Sequence, residues 1–87
     1  MKEIVKILKG LGNERRLKIL KILKKDQEKS VGDLADNLNL SFRSTSRHLR
    51  KMGDLGLVKT KQSKTNIFYS IDKDRLDIIN FILSKIK

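Results

Sequence analysis

The 87 residues are enough for one compact domain and too few for two. The absence of cysteine excludes disulfides, thiolate metal sites and thiol redox sensing, and the absence of proline leaves long helices uninterrupted. A net charge of +11 favours a polyanionic partner, whether DNA, RNA or an anionic membrane surface.

In chain order, Ile4, Val5, Ile7, Leu8 and Leu11 recur at helical spacing, so a first helix is expected over residues 3–10, ended by Gly10 and Gly12. Asn13 then serves as an N-cap, with Glu14 at the positive helix end. Residues 14–25 set Leu17, Ile19, Leu20, Ile22 and Leu23 among arginines and lysines, an amphipathic second helix. Residues 26–29 read as a polar turn. Ser30 stands three before Asp33, a capping-box signal for a third helix that buries Val31, Leu34, Ala35 and Leu38. Asn39-Leu40 makes a tight turn. Ser41 caps a fourth helix running to about Met52, with Gly53 as its C-cap.

Beyond Gly56 the pattern changes. Leu57–Lys61 and Ile67–Ile71 are rich in β-branched and aromatic residues, and the polar residues 62–66 lie between them: a β-hairpin with a five-residue loop. Asp72 caps a last helix from about Lys73 to the end. The longest apolar runs are three residues, so nothing spans a membrane, and residues 1–11 are too charged for a signal peptide. A cytoplasmic protein is expected, folded as one domain over residues 1–87, mostly α with a β-hairpin, in the order α-α-α-α-β-β-α.

The segment from Val31 to Met52 has helix-turn-helix spacing. In its second helix Phe42, Thr45, Leu49 and Met52 share one face, which can pack on the domain. Arg43, Ser46, Arg47 and Arg50 share the other, and their side chains suit guanine edges and phosphates. Residues 43–64 hold seven basic side chains against the single acid Asp54, so a quarter of the chain carries over half the net charge. DNA contact explains that asymmetry better than a solvated face does. The hairpin loop, with Lys61, Lys64 and its backbone amides, can lie along the phosphates or in the minor groove, or be a solvated turn. Lys59 and Lys61 alternate onto one strand face.

Several stretches together resemble the ArsR family of winged-helix repressors. They are Asn13-Glu14-Arg15-Arg16-Leu17-Lys18-Ile19-Leu20, Ser30-Val31-Gly32-Asp33-Leu34-Ala35, Leu40-Ser41, Ser46-Arg47-His48-Leu49, Leu55-Gly56-Leu57-Val58 and Ile67-Phe68-Tyr69. The resemblance covers about residues 8–72. It implies a winged helix-turn-helix homodimer that touches DNA with its recognition helix and wing tip. By position, the contacts fall on Arg43, Ser44, Ser46, Arg47 and His48. The family often has proline where Glu14 stands, an apolar residue at Thr45 and glycine at Lys64. Its metal-sensing branch uses a cysteine pair on the third helix, where this chain has Ser30 and Gly32. A second family site needs histidines on the last helix, which offers Asp74 and Asp77 alone. No metal or cofactor is therefore expected, while a small molecule at the dimer interface, a partner protein or no effector at all stay open. Asp72, Asp74 and Asp77 serve as cap and dipole partners.

The last helix is apolar on two faces, Leu76, Ile79, Leu83 and Ile86 on one and Ile78 and Ile82 beside Phe81 on the other. One small domain can cover only one of them. Pairing with a second copy would bury the other, with Ile4, Ile7 and Leu8 of the first helix and Leu76, Ile79, Leu83 and Ile86 of the last as the expected interface. Such a C2 dimer sets two recognition helices about 34 Å apart, one turn of B-DNA. No nucleophile–base pair or glycine-rich phosphate loop supports catalysis. The resemblance implies a sequence-specific regulator, a dimeric repressor that occupies a promoter. In it Arg43, Ser46 and Arg47 read bases while Arg50, Lys51, Lys61 and Lys64 hold phosphates. The alternatives are a sequence-neutral architectural DNA- or RNA-binding protein and a winged-helix module for protein contacts.

Overall fold

The computed structural model describes residues 1–86, and its helices begin where a short polar side chain can satisfy free amides. Asn13 Oδ1 accepts from the amides of Arg15 (3.0 Å) and Arg16 (3.2 Å), opening α2 (Glu14–Asp26). Ser30 Oγ accepts from Asp33 N at 3.1 Å, opening α3 (Val31–Leu38). Ser41 Oγ accepts from Ser44 N at 3.0 Å, opening α4 (Phe42–Asp54). Asp72 accepts from Asp74 N at 3.0 Å, and a 3-10 turn at Lys73–Arg75 leads into α5 (Leu76–Ser84). Among the described residues, only the first helix, α1 (Lys2–Leu11), and α5 start without a side-chain cap.

A three-stranded antiparallel sheet completes the domain, in the order β1-β3-β2, with β1 at Glu28–Ser30, β2 at Val58–Ser63 and β3 at Asn66–Ile71. The polar turn expected at 26–29 is thus partly a strand, pairing Glu28 with Ser70 and Ser30 with Phe68. Three residues are too few to display a period of two, and the partner lies some forty positions away. The hairpin loop is also shorter than expected. Ser63 pairs with Asn66, leaving a two-residue turn of Lys64 and Thr65. Both strands run on through polar residues at the tip, where neither face is covered and apolar alternation stops.

Two glycines differ from expectation. Gly53 is helical and exposed within α4, which runs on to Asp54; the left-handed residue after the helix is Gly56, at φ +72°. Gly10 does not end α1 but lies buried inside it, where a Cβ would stand 2.1 Å from Leu55 Cδ1. Its bare backbone lets α1 sit against the end of α4.

The core centres on α2. Ile19, Leu20 and Leu23 pack with Leu34 of α3, Leu49 and Met52 of α4, Leu57, and Ile79 of α5, all at 0–1% exposure. Each such side chain contributes about 1.5–3 kcal/mol on burial. Thr45 is buried among them at no polar cost, because its hydroxyl donates to the Ser41 carbonyl at 2.9 Å. Phe42, expected on that packed face, is instead 62% exposed: it opens the helix, a full turn beyond the last residue the core reaches. Ile7 and Ile79 correct the expected dimer surface. At 2% and 0% exposure they are covered within the chain and leave no area for a partner.

Candidate nucleic-acid interface

Helices α3 and α4 are joined by residues 39–41. Asn39 takes the left-handed conformation, at φ 55°, that turns the chain tightly, and Ser41 restarts it as helix. Burying Thr45, Leu49 and Met52 fixes the rotation of α4. Arg43, Arg47 and Arg50 then project from the opposite, exposed face. Ser46 stands half-buried along the edge toward the hairpin. Ser44, His48 and Lys51 follow the other edge, the first two half-buried and Lys51 exposed. Among the described residues the ion pairs are Lys18–Glu14, Lys29–Asp26 and Arg75–Glu3. The three arginines of α4 belong to none of them.

On the hairpin side, Phe42 and Ser46 of α4 share a cleft with Thr65, Asn66, Ile67 and Tyr69. Strand register divides the expected hairpin contacts. Lys59 and Lys61 pair with Ser70 and Phe68, which puts them on the sheet face opposite to Ile67 and Tyr69. Lys61 is therefore not grouped with the α4 arginines. Lys64 occupies the turn itself at φ 57°, a left-handed position that suits glycine better than lysine. Phe42 is a candidate contact that periodicity assigned to the core; its place at the first helical position, next to Arg43, was the available signal. Ile67, 45% exposed, adds a second apolar group to the cleft.

His48 is not a free side chain. Its Nδ1 accepts from Arg16 Nε at 3.2 Å, while Arg16 Nη1 donates to the Gly10 carbonyl at 3.0 Å. Burial, then the charges of Arg16, Arg15 and Arg47, hold its pKa below the ordinary 6.5. Nothing local in the sequence marks Arg16 for this role, because the contact spans 32 positions.

Away from this face, Ile4, Val5 and Leu8 of α1 and Phe81 of α5 are exposed at 54, 43, 52 and 64%. Lys85 Nζ lies 5.4 Å from the Phe81 ring centre. Leu76, Leu83 and Ile86 are half-buried. Among the described residues no cluster of three or more His, Cys, Asp or Glu side chains could hold a metal ion, and no helix is long and apolar enough to cross a membrane.

Comparison with known proteins agrees with this geometry. Residues 13–60 match the family described as "Bacterial regulatory protein, arsR family". The chain is 37% identical to the transcriptional activator HlyU of Vibrio cholerae, over 94% of this chain and 75% of that protein. It is 30% identical to a homolog of the cadmium resistance transcriptional regulatory protein CadC from Staphylococcus aureus, over 85% of this chain and 61% of that one. Among solved structures, the homodimeric winged helix-turn-helix DNA-binding domain of Mb0332 from Mycobacterium bovis superposes with a TM-score of 0.88 at 25% identity, covering 95% of this chain and 77% of that one. The helix-turn-helix, the hairpin wing and these matches agree: the chain is a winged helix-turn-helix member of the ArsR family of bacterial transcriptional regulators.

Proposed function

We propose that two copies of this chain bind one double-stranded DNA site, each laying α4 in the major groove. The observation that carries this reading is the row Arg43, Arg47 and Arg50, exposed on one helix face and outside every ion pair among the described residues. Guanidinium groups so placed can take guanine edges or phosphates in pairs of hydrogen bonds. Ser44 and Ser46 flank that row as hydroxyl partners, His48 and Lys51 serve phosphates on one edge, and Phe42 offers an apolar face to a thymine methyl on the other. Lys64 reaches the backbone from the wing tip, and Lys61 does so from the sheet's far face.

Dimerisation would cover the apolar row that one chain leaves in water. Ile4, Leu8, Leu76, Leu83 and Ile86 form the proposed interface, joined by Val5 and Phe81, and the domain over residues 1–87 contributes its first and last helices to it. The homodimeric M. bovis domain supports that arrangement. The protein would act in the cytoplasm as a regulator and not as an enzyme. Occupying a promoter in this way can repress or activate, and one relative is named an activator.

Selection of bound duplexes from a random pool, read with the solution mass of the free protein, tests the reading. A two-half-site motif and a mass of two chains are expected. Equal binding to all duplexes and to RNA would favour a sequence-neutral architectural role, and no binding would favour a protein-contact module.

A further inference from the structure

The side chain that ties α1 to α4 belongs to neither helix. Arg16, in the first turn of α2, is half-buried and spends one donor on His48 Nδ1 and another on the Gly10 carbonyl. A guanidinium has donors only, so Nδ1 must present its lone pair. The proton of the neutral imidazole then sits on Nε2. Three cations act on the ring: Arg15 and Arg16 from α2 and Arg47 from α4. The groove lined by Arg16 adds Lys6 and Lys9 of α1, Lys51 of α4 and the single carboxylate Asp54. Protonating His48 would therefore place a charge among like charges and abolish the bond from Arg16.

The same spot is where α1 meets Leu55, the residue that follows α4. Gly10, whose carbonyl Arg16 holds, lies under the Leu55 side chain, which a Cβ would have to displace. The opposite side of α1 presents Ile4, Val5 and Leu8. In a dimer built on that side, the seat of α1 on α4 sets how far apart the two recognition helices stand.

We propose that Arg16 is a positioning residue for the recognition helix, fixing α4 against α1 and committing His48 to meet a DNA phosphate as a neutral Nε2–H donor. The proposal rests on the DNA-binding reading above. Because a neutral donor releases no counterion, losing His48 should weaken binding without changing its salt slope, whereas losing Lys51 should lower the slope by about 0.9. His48→Gln, which retains an amide donor near the Nε2 position, should recover much of the affinity that His48→Ala loses.

The decisive experiment has two arms. In the free protein, long-range proton–nitrogen NMR should find His48 as the Nε2–H form, titrating below 6.5. In Arg16→Met the tautomer preference should fade and the titration should climb toward 6.5. On DNA, duplexes whose half-sites are moved one or two base pairs apart or together should be sharply ranked by the unaltered protein. Arg16→Met should flatten that ranking and weaken the best site by about tenfold. Arg16→Lys guards against misfolding: it keeps the charge but not the planar fork that reaches His48 and Gly10 together, so it should melt like the unaltered protein and still lose the ranking. An unchanged His48 tautomer in Arg16→Met, or an unchanged ranking in both variants, overturns the proposal. Failure of the unaltered protein to bind any duplex overturns the DNA-binding reading instead, and the NMR arm still decides the link between Arg16 and His48.

Discussion

Helices α2 and α4 are each 13 residues long, amphipathic and basic, yet they do different work. By count α2 is the more basic, with Arg15, Arg16, Lys18, Lys21, Lys24 and Lys25 against Arg43, Arg47, Arg50 and Lys51 on α4. In α2, however, Lys18 is paired with Glu14, and Arg16 turns inward to Gly10 and His48. In α4 the arginines stand on a single exposed face, with hydroxyls along its edges and a wing beside it. Arg15, Lys21, Lys24 and Lys25 of α2 stand outside the ion pairs as well, so the difference teaches that a nucleic-acid surface is marked by how its cations are grouped on one accessible face more than by how many there are.

The most severe way to break this comparison is to neutralise one helix at a time. Arg43→Ala and Arg47→Ala should each cost about 1–3 kcal/mol of affinity for the selected duplex, by fluorescence anisotropy. Lys21→Ala and Lys24→Ala on α2 should leave it nearly unchanged. Comparable losses from both helices would erase the distinction. Next in size is Gly10→Ala, which forces a methyl against Leu55 where α1 meets the end of α4. It should destabilise the fold by about 1–3 kcal/mol in chemical denaturation; an unmoved midpoint would mean that Leu55 swings aside.

Lys64→Gly tests the wing and should separate two effects. Relief of the left-handed backbone at φ 57° should stabilise the fold by about 1 kcal/mol, while the salt slope of DNA binding drops by about 0.9. A slope that does not move would remove Lys64 from the contact surface. The smallest effect is on pH dependence. The folded pKa of His48 lies below its ordinary 6.5, so the unfolded chain takes up a proton first as pH falls. The stability tied to neutral His48 is complete above 6.5 and lost as pH drops from 6.5 through the folded value. His48 is the only histidine, so His48→Gln should flatten this slope in denaturation curves taken on either side of 6.5.

What could be read from sequence follows from how far apart the interacting groups lie. The starts of α2, α3 and α4 and the 3-10 turn before α5 were legible because a cap acts within three residues, as Asn13, Ser30, Ser41 and Asp72 do. The arginine face of α4 was legible because helical periodicity places Arg43, Arg47 and Arg50 opposite Thr45, Leu49 and Met52. Strand β1 was hidden, since its partner lies across the domain. Phe42 was misplaced because periodicity cannot say where a packed face ends, and Gly10 because a close helix contact resembles a helix stop. The buried state of Ile7 and Ile79 was beyond reach for a related reason: an apolar stripe does not say whether its own chain or a second copy covers it.

The most direct test of the division between α2 and α4 is an NMR titration of the nitrogen-15-labelled protein with its selected duplex. The account predicts that the largest amide and arginine side-chain shifts fall on residues 42–50 and at the wing tip around Lys64, while Lys18, Lys21, Lys24 and Lys25 stay in place. Shifts centred on α2, or spread evenly over both helices, would contradict it.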